Sequence, residues 1–199
     1  MGFGETGMSL IDEDEALIAA ALNGSAFAWE KLVKRYESKM YNYGLRLMGN
    51  RGDAMDLLQE VFLGVYRNLH RFRGDAKFSS WIFRIAHNKA IDLNRRKRLL
   101  TGYPLAGEEE ADLFEGIPAE LSEEPDVKLM QSQQNNRMIA LLTQLPMEQK
   151  LIVELKIFQS MTFEEIADMQ DISENTAKTR FYTALKKLKS ATEEKHALS

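Results

Sequence analysis

Apolar residues recur along this chain every three to five positions, the rhythm of helices. Leu17, Ile18, Ala21 and Leu22 make one short helix, which Asp12 is placed to cap and Gly24 to end. A longer helix starts at Ser25 and carries Phe27, Leu32, Tyr36, Met40, Tyr43 and Leu47 as one inward stripe. Gly49-Asn50-Arg51-Gly52 reads as a turn. Asp53 is the expected cap of a third helix, with Leu57, Leu58, Val61, Phe62, Val65 and Leu69 facing inward. Residues 71–78 form a short loop. A fourth helix, starting near Ser79 or Ser80, has Trp81, Ile82, Ile85, Ala86 and Leu93 on its apolar side. The periodicity is lost over residues 100–126, where Pro104, Pro118 and Pro125 discourage any long helix. It returns with Met138, Ile139, Leu141, Leu142 and Leu145, then with Ile152, Val153, Leu155, Lys156 and Ile157. Thr162-Phe163-Glu164-Glu165 has capping-box spacing ahead of Ile166, Ala167 and Met169. After a break at Asp171-Ile172-Ser173, a helix capped by Ser173 places Ala177, Phe181, Ala184, Leu185 and Leu188 on one face. No stretch sustains β alternation.

The expected fold is therefore all-α, with two small helical domains joined by a flexible linker. Residues 1–11 read as an unstructured start or an appended segment, 12–99 as the first domain, 100–127 as the linker and 128–194 as the second domain. Such a linker should let the domains move in solution and close together on a partner. The 199 residues are 44% hydrophobic, enough for packed cores. The apolar runs are too short for a membrane helix, and Met1 to Gly7 has no basic start and apolar stretch of a secretory signal. The absence of cysteine excludes a disulfide framework and thiolate metal ligands, and fits a reducing cytoplasm.

Net charge, −4, argues against nucleic acid, but its distribution argues for it. Arg67 to Arg98 holds ten Lys or Arg against two acids, and Asn175 to Ala191 holds five against none. Leu99 to Val127 holds nine acids and no base, which makes the linker acidic. DNA responds to the field within a Debye length, roughly 8–10 Å, so such blocks outweigh the sum.

Residues 162–189 have the layout of a helix-turn-helix: a short helix, a tight turn and a second helix with a basic outer face. The major groove admits one helix, and the apolar face must pack on its predecessor to be held there. Asn175, Thr176, Lys178, Thr179 and Arg180 are the candidate base readers, with Arg180 able to pair bidentately with guanine; Tyr182 and Lys186 lie on the same side. The alternative is an amphipathic hairpin with a solvated basic face.

A second block, 71–98, interleaves Phe72, Phe78, Trp81 and Phe83 with Arg71, Arg73, Lys77, Arg84, Lys89 and Arg95 to Arg98. Aromatics among cations suit unstacked bases beside a phosphate-tracking surface, and a polar loop between helices can pocket a base drawn from the stack. Helical spacing also allows Phe78 and Trp81 to be core, and the basic run to be a solvated helix end. Asp53, Asp56 and Glu60 share one face of a helix start, which suits dipole stabilisation or docking of a protein. No His lies near enough in sequence to suggest a metal site there. No phosphate-binding Gly loop, HExxH or nucleophile elbow is present, so no catalytic residue, cofactor or metal ligand is expected, and His70, His87 and His196 are scattered.

These motifs together resemble a known family. Asp53-Ala54-Met55-Asp56-x-x-Gln59-Glu60, Arg71-Phe72-Arg73-Gly74-Asp75 and Phe78-Ser79-Ser80-Trp81-Ile82-Phe83-Arg84-Ile85-Ala86-x-Asn88-x-Ala90-Ile91-Asp92 resemble region 2 of bacterial extracytoplasmic-function (ECF, group 4) sigma factors. Leu145-Pro146-x-x-Gln149, Thr162 to Ala167 and Asn175 to Arg180 are similar to the region 4 helix-turn-helix of that family. The order, the spacing and the intervening linker agree over nearly the whole chain after residue 12.

The resemblance implies an alternative sigma factor, a non-enzymatic subunit that gives core RNA polymerase its promoter specificity. Asp53, Asp56, Gln59 and Glu60 would dock on the clamp coiled coil of the β′ subunit, and region 4 would meet the β flap. Arg71, Arg73, Asp75, Lys77, Phe78, Trp81, Arg84, Asn88, Lys89, Arg95 and Arg96 would recognise and help melt the −10 element, holding a flipped non-template base. Asn175, Thr176, Lys178, Thr179, Arg180, Tyr182 and Lys186 would serve the −35 element. The acidic linker would thread the polymerase channel. A cognate anti-sigma factor, often membrane-bound, would hold such a protein inactive, so a cytoplasmic chain could be tethered at a membrane without inserting. Met55 departs from the family, which usually has an acid there. The competing reading is a helix-turn-helix regulator that binds duplex operator without polymerase, which leaves the 71–98 block unexplained. A helical adaptor binding proteins alone would tolerate loss of Lys178 and Arg180.

Overall fold

The computed structural model describes residues 10–101 and 136–197, and every regular element among them is helical. The expected unstructured start, up to residue 9, and the acidic linker beyond Thr101 lie outside the described residues. The first unit comprises α1 (Leu10–Leu22), α2 (Ala26–Met48), α3 (Arg51–Asn68), a 3-10 turn (Leu69–Arg71) and α4 (Phe78–Thr101). The second comprises α5 (residues 136–143), α6 (Met147–Val153) running into a π-helical turn (Glu154–Phe158), α7 (Phe163–Gln170) and α8 (Glu174–Ala197).

Local capping sets most of the boundaries. Ser25 caps α2 by accepting the N–H of Ala28 at 3.2 Å. The expected turn after α2 is tighter than the sequence suggests. Gly49 ends α2 with φ +79°, and Asn50 at once caps α3 by accepting the N–H of Asp53. Asp53 is therefore not the cap. It stands in the first turn of α3, where its carboxylate meets the helix dipole and takes a hydrogen bond from the Asn50 side chain at 2.6 Å. Likewise Asp12 lies inside α1, which already runs from Leu10, and α4 begins at Phe78, ahead of the expected serines.

The first core gathers Leu32, Tyr36, Met40, Tyr43 and Leu47 of α2, Leu57, Val61 and Val65 of α3, and Phe78, Ile82 and Ala86 of α4. Phe27, expected in this stripe, is exposed, because the buried face of α2 starts one position later, at Ala28, and continues to Leu32 and Tyr36. Gly44 lets α2 and α3 approach closely: a Cβ there would stand 3.1 Å from the Ala54 backbone. In the second unit Leu142, Leu145, Val153 and Ala184 form one cluster and Ile152, Leu155, Ile166 and Ala177 another. Ile157, expected on the apolar side, is exposed, since the π turn shifts the face that residues after Val153 present.

The two units are in direct contact. Ile139 of α5 packs with Leu45 and Ala54, and Leu151 of α6 joins the first core. Among the described residues, no helix is long and apolar enough to cross a membrane.

Candidate nucleic-acid interface

The loop between the 3-10 turn and α4 is built on an aromatic floor. The Phe72 and Phe78 rings meet edge-on at 5.4 Å, and Phe78 also meets Tyr36 at 5.3 Å and Trp81 at 5.6 Å. Phe78 is only 4% exposed, so it supports the loop from beneath and presents no face for a base. Trp81 and Phe72 are half-buried. Gly74, with φ +78°, turns the loop where other residues would be strained. Arg71, Arg73, Asp75 and Lys77 all project into solvent around it.

Between this loop, α1 and α2 lies a cleft of about 570 Å³, lined by Asp14, Tyr36, Lys39, Phe72, Lys77 and Phe78 among others. Its inner wall is tied together by hydrogen bonds between α1 and α2. Asp14 accepts from the Tyr36 hydroxyl at 2.5 Å and from Arg35 at 2.7 Å, and Glu13 also pairs with Arg35. Burial, followed by the bond to Asp14, pushes the Tyr36 hydroxyl well above its usual range, so it stays protonated and donating. The sequence reading missed Asp14 and Lys39, because only the packing of α1 and α2 brings them to this loop.

On α4, Arg84, Asn88, Arg95 and Arg96 are exposed, and Arg95 pairs with Asp92 at 3.1 Å. Lys89 does not face solvent freely. It donates to Glu60 of α3 at 2.8 Å, and Lys97 pairs with Asp53. The Lys89 hydrogen bond, then its charge, holds the Glu60 carboxyl below the usual carboxylate range. Gly64 permits this approach of α3 and α4, since a Cβ there would lie 3.1 Å from Ile85. The four expected docking residues thus divide. Asp53 and Glu60 turn to α4, while Asp56 and Gln59 stay exposed. Met55, Leu63 and Tyr66 are exposed along the same helix, Tyr66 at 67%. Their spacing, opposite the buried stripe, is the signal that could have marked them.

The helix-turn-helix follows from local chemistry. Thr162 accepts the N–H of Glu165 at 3.1 Å while the Glu165 carboxylate takes the N–H of Thr162 at 2.7 Å, closing the capping box. Asp171 ends α7 in the left-handed region, φ 53°. Ser173 then accepts the N–H of Thr176 at 3.1 Å and starts α8. Ala177 and Ala184, both fully buried, let α8 lie close on α7 and α6, and Phe181 packs edge-on against Phe163 at 5.5 Å. Asn175, Thr179, Tyr182 and Lys186 are exposed on the outer face. Thr176 is half-buried and shares a hydrogen bond with Ser173. Lys178 pairs with Glu174 at 2.7 Å, and Arg180 reaches across to Glu148 at the start of α6 at 2.8 Å.

Comparison with known proteins bears on both units. Residues 32–99 match the family described as Sigma-70 region 2, and residues 135–188 match Sigma-70, region 4. The ECF RNA polymerase sigma factor SigW of Bacillus subtilis is 31% identical over 163 residues, which cover 80% of this chain and 86% of SigW. The chain belongs to the ECF sigma factors of RNA polymerase. This sigma factor is also 29% identical to the RNA polymerase sigma-H factor of Pseudomonas aeruginosa over 175 residues, covering 87% of the chain and 90% of that relative. Its fold agrees, at a TM-score of 0.62 and 23% identity, with CnrH, solved in complex with the cytosolic domain of CnrY; the match covers 92% of this chain and 99% of CnrH. It agrees equally, at 0.62 and 15% identity, with the sigma factor RpoE of Bartonella quintana, solved with the anti-sigma factor NepR, over 82% of this chain and 96% of RpoE.

Proposed function

We propose that this ECF sigma factor directs core RNA polymerase to its promoters through three separate surfaces. The outer face of α8 reads the −35 element in the major groove. Asn175 and Thr179 meet base edges, Tyr182 and Lys186 follow the backbone, and Lys178 and Arg180 join by leaving Glu174 and Glu148 for DNA. Thr176 contributes beside them at the helix start. The observation that carries the reading is this outer face: a helix capped at its start by Ser173, with the exposed side chains polar or basic and no acid from Asn175 to Ala191.

The loop of Arg71, Arg73, Asp75 and Lys77 takes the −10 strand, with a base drawn from the stack seated in the cleft beside Tyr36 and Phe72. Phe78 and the inner part of Trp81 hold that loop in shape. Arg84, Asn88, Lys89, Arg95 and Arg96 line α4 for the phosphates. Strand opening needs no catalytic group: the opened strand binds better than the duplex, so binding shifts the equilibrium. Asp56 and Gln59, with Asp53 and Glu60 at their side, dock the clamp of the β′ subunit, and region 4 meets the β flap. The work is done in the cytoplasm with the polymerase. The Bartonella quintana relative bound to NepR supports an anti-sigma factor as the controlling partner, itself able to tether the complex at a membrane.

The test adds the purified chain to core polymerase from its host and maps the transcript starts obtained from random-sequence DNA. Starts sharing a −35 and a −10 element are expected. Transcripts with no common upstream sequence, or binding to duplex DNA that is unaffected by core polymerase, would sink the proposal.

A further inference from the structure

The second unit meets the first through two kinds of contact. One is polar. Arg46, in the last turn of α2, donates from Nε to Glu154 Oε2 at 2.5 Å and from Nη2 to Glu154 Oε1 at 2.7 Å, and Glu154 is buried. Lys150 donates to the carbonyl of Leu47 at 3.3 Å. The other contact is apolar, and thioethers enter it from both sides. Met147 opens α6 and packs against the first core, as does Leu151 one turn later. Met169 of α7 packs against the first core and also against the cluster of Ile152, Leu155, Ile166 and Ala177, so it bridges the two units. Met48, the last residue of α2, packs against the first core as well.

Position separates these three from the other methionines among the described residues. Met40 is 1% exposed, inside the first core and out of reach of solvent. Met55 is exposed on α3 and belongs to no core cluster. Met138 and Met161 pack within the second unit. Met48, Met147 and Met169 are half-buried, so each is packed on one side and within reach of a small solute on the other.

The chain has ten methionines and no cysteine, so thioethers are its only sulfur. A peroxide passes one oxygen to a thioether. An S–O bond forms, the O–O bond breaks and water leaves; sulfur gives up two electrons and the peroxide takes them. A flexible apolar side chain thereby becomes a polar one that accepts hydrogen bonds and donates none. Burying such a group against apolar neighbours is costly unless a donor meets it. Arg46 and Lys150, close in sequence to Met48 and Met147, are already engaged by Glu154 and by the Leu47 carbonyl.

We infer that Met48, Met147 and Met169 form an oxidation site: peroxide converts them to sulfoxides, and the second unit then comes away from the first core. The chain answers the oxidant directly, without a thiol. The change is reversible, because methionine sulfoxide reductases return the thioether. The inference concerns the contact alone and does not depend on the promoter reading.

The test uses the full chain, labelled at Ser38→Cys on α2 and Ser190→Cys on α8, both exposed. Hydrogen peroxide is added and then removed with catalase before measurement. Peptide mass spectrometry should find sulfoxide at Met48, Met147 and Met169 while Met40 stays reduced. Single-molecule energy transfer should show the fraction of chains with separated units raised at least tenfold, and treatment with both reductases should restore the starting distribution. Met48→Leu, Met147→Leu and Met169→Leu combined, a swap that nearly conserves volume, should hold the compact distribution before and after peroxide. Met147→Gln should separate the units without oxidant, with far-ultraviolet circular dichroism unchanged. A parent that shows no compact population, or whose distances stay the same once the three are oxidised, would overturn the inference. So would a triple leucine variant that opens with peroxide as the parent does, or Met147 and Met169 still reduced when Met55 is fully converted.

Discussion

The two helices proposed to face DNA, α4 and α8, are both basic and 24 residues long, but the chain enters them by different routes. α8 follows three residues after α7, through a left-handed Asp171 and a capping Ser173. α4 follows the six-residue loop 72–77, laid over the aromatic floor of Phe72, Phe78 and Trp81. A tight turn fixes the angle between two helices and little else, which suits insertion of a rigid rod into a groove. A longer loop on a solid floor encloses a volume, which suits a single base and its sugar. The cations differ too. Lys89 and Lys97 of α4 pair with acids of the neighbouring α3, whereas Lys178 of α8 pairs along its own helix with Glu174. If α4 takes DNA and α3 docks polymerase as proposed, DNA competes there with acids of the docking face and the two binding events in the first unit are coupled, whereas Lys178 is tied to no acid of that face.

The largest expected effect separates floor from reader. Phe78→Ala should cost about 3–5 kcal/mol of stability, as a buried Phe truncation does, read as a lower urea midpoint. Unchanged stability with weaker −10 binding would return Phe78 to the bases and erase the distinction drawn between floor and loop.

Next comes the acid limb of stability. His87, buried in α4, has its pKa pushed down to about 4 by burial. Below the usual value near 6.5 the unfolded chain takes up a proton that the folded chain refuses, so stability falls as pH drops from about 6.5 to about 4, by roughly 3 kcal/mol in all. His87→Gln should flatten that slope in urea titrations across this range. An equal slope in the variant would place the sensitivity elsewhere.

Arg180→Ala should lower −35 discrimination by about 1–3 kcal/mol at one base position. Binding measured over a set of single-base promoter variants decides this, and a uniform loss would mark a phosphate contact. The smallest effect belongs to the cap: Ser173→Ala should cost about 1 kcal/mol and loosen the start of α8, while leaving −10 binding untouched. Thermal unfolding with separate −35 and −10 probes reads both halves of that statement.

Much of this was legible in the chain because it is local chemistry. Ser25, Thr162 with Glu165 and Ser173 act within three residues of themselves, and each does what its spacing announces. Asn50 was overlooked as a cap because Gly49 and Gly52 around it suggest an open turn, and the close seat of Thr143 against Gly49 shows how compact the connection is. Phe27 and Ile157 carry the right residue type, yet Phe27 stands one position off the buried stripe, which takes Ala28, and Ile157 lies within the π turn. Periodicity says which face is apolar, not whether something arrives to cover it.

The sequence by itself determined the helices, the caps at Ser25, Thr162 and Ser173, the basic and acidic blocks and the family, since all of these are written in residues near one another or in ordered motifs. Only the tertiary structure decided that Lys89 meets Glu60, that Asp14 walls the cleft beside the loop and that Arg46 closes on Glu154. Residues far apart along the chain meet only when whole helices pack. A buried charge such as Glu154 reads as surface in sequence until its partner is in place.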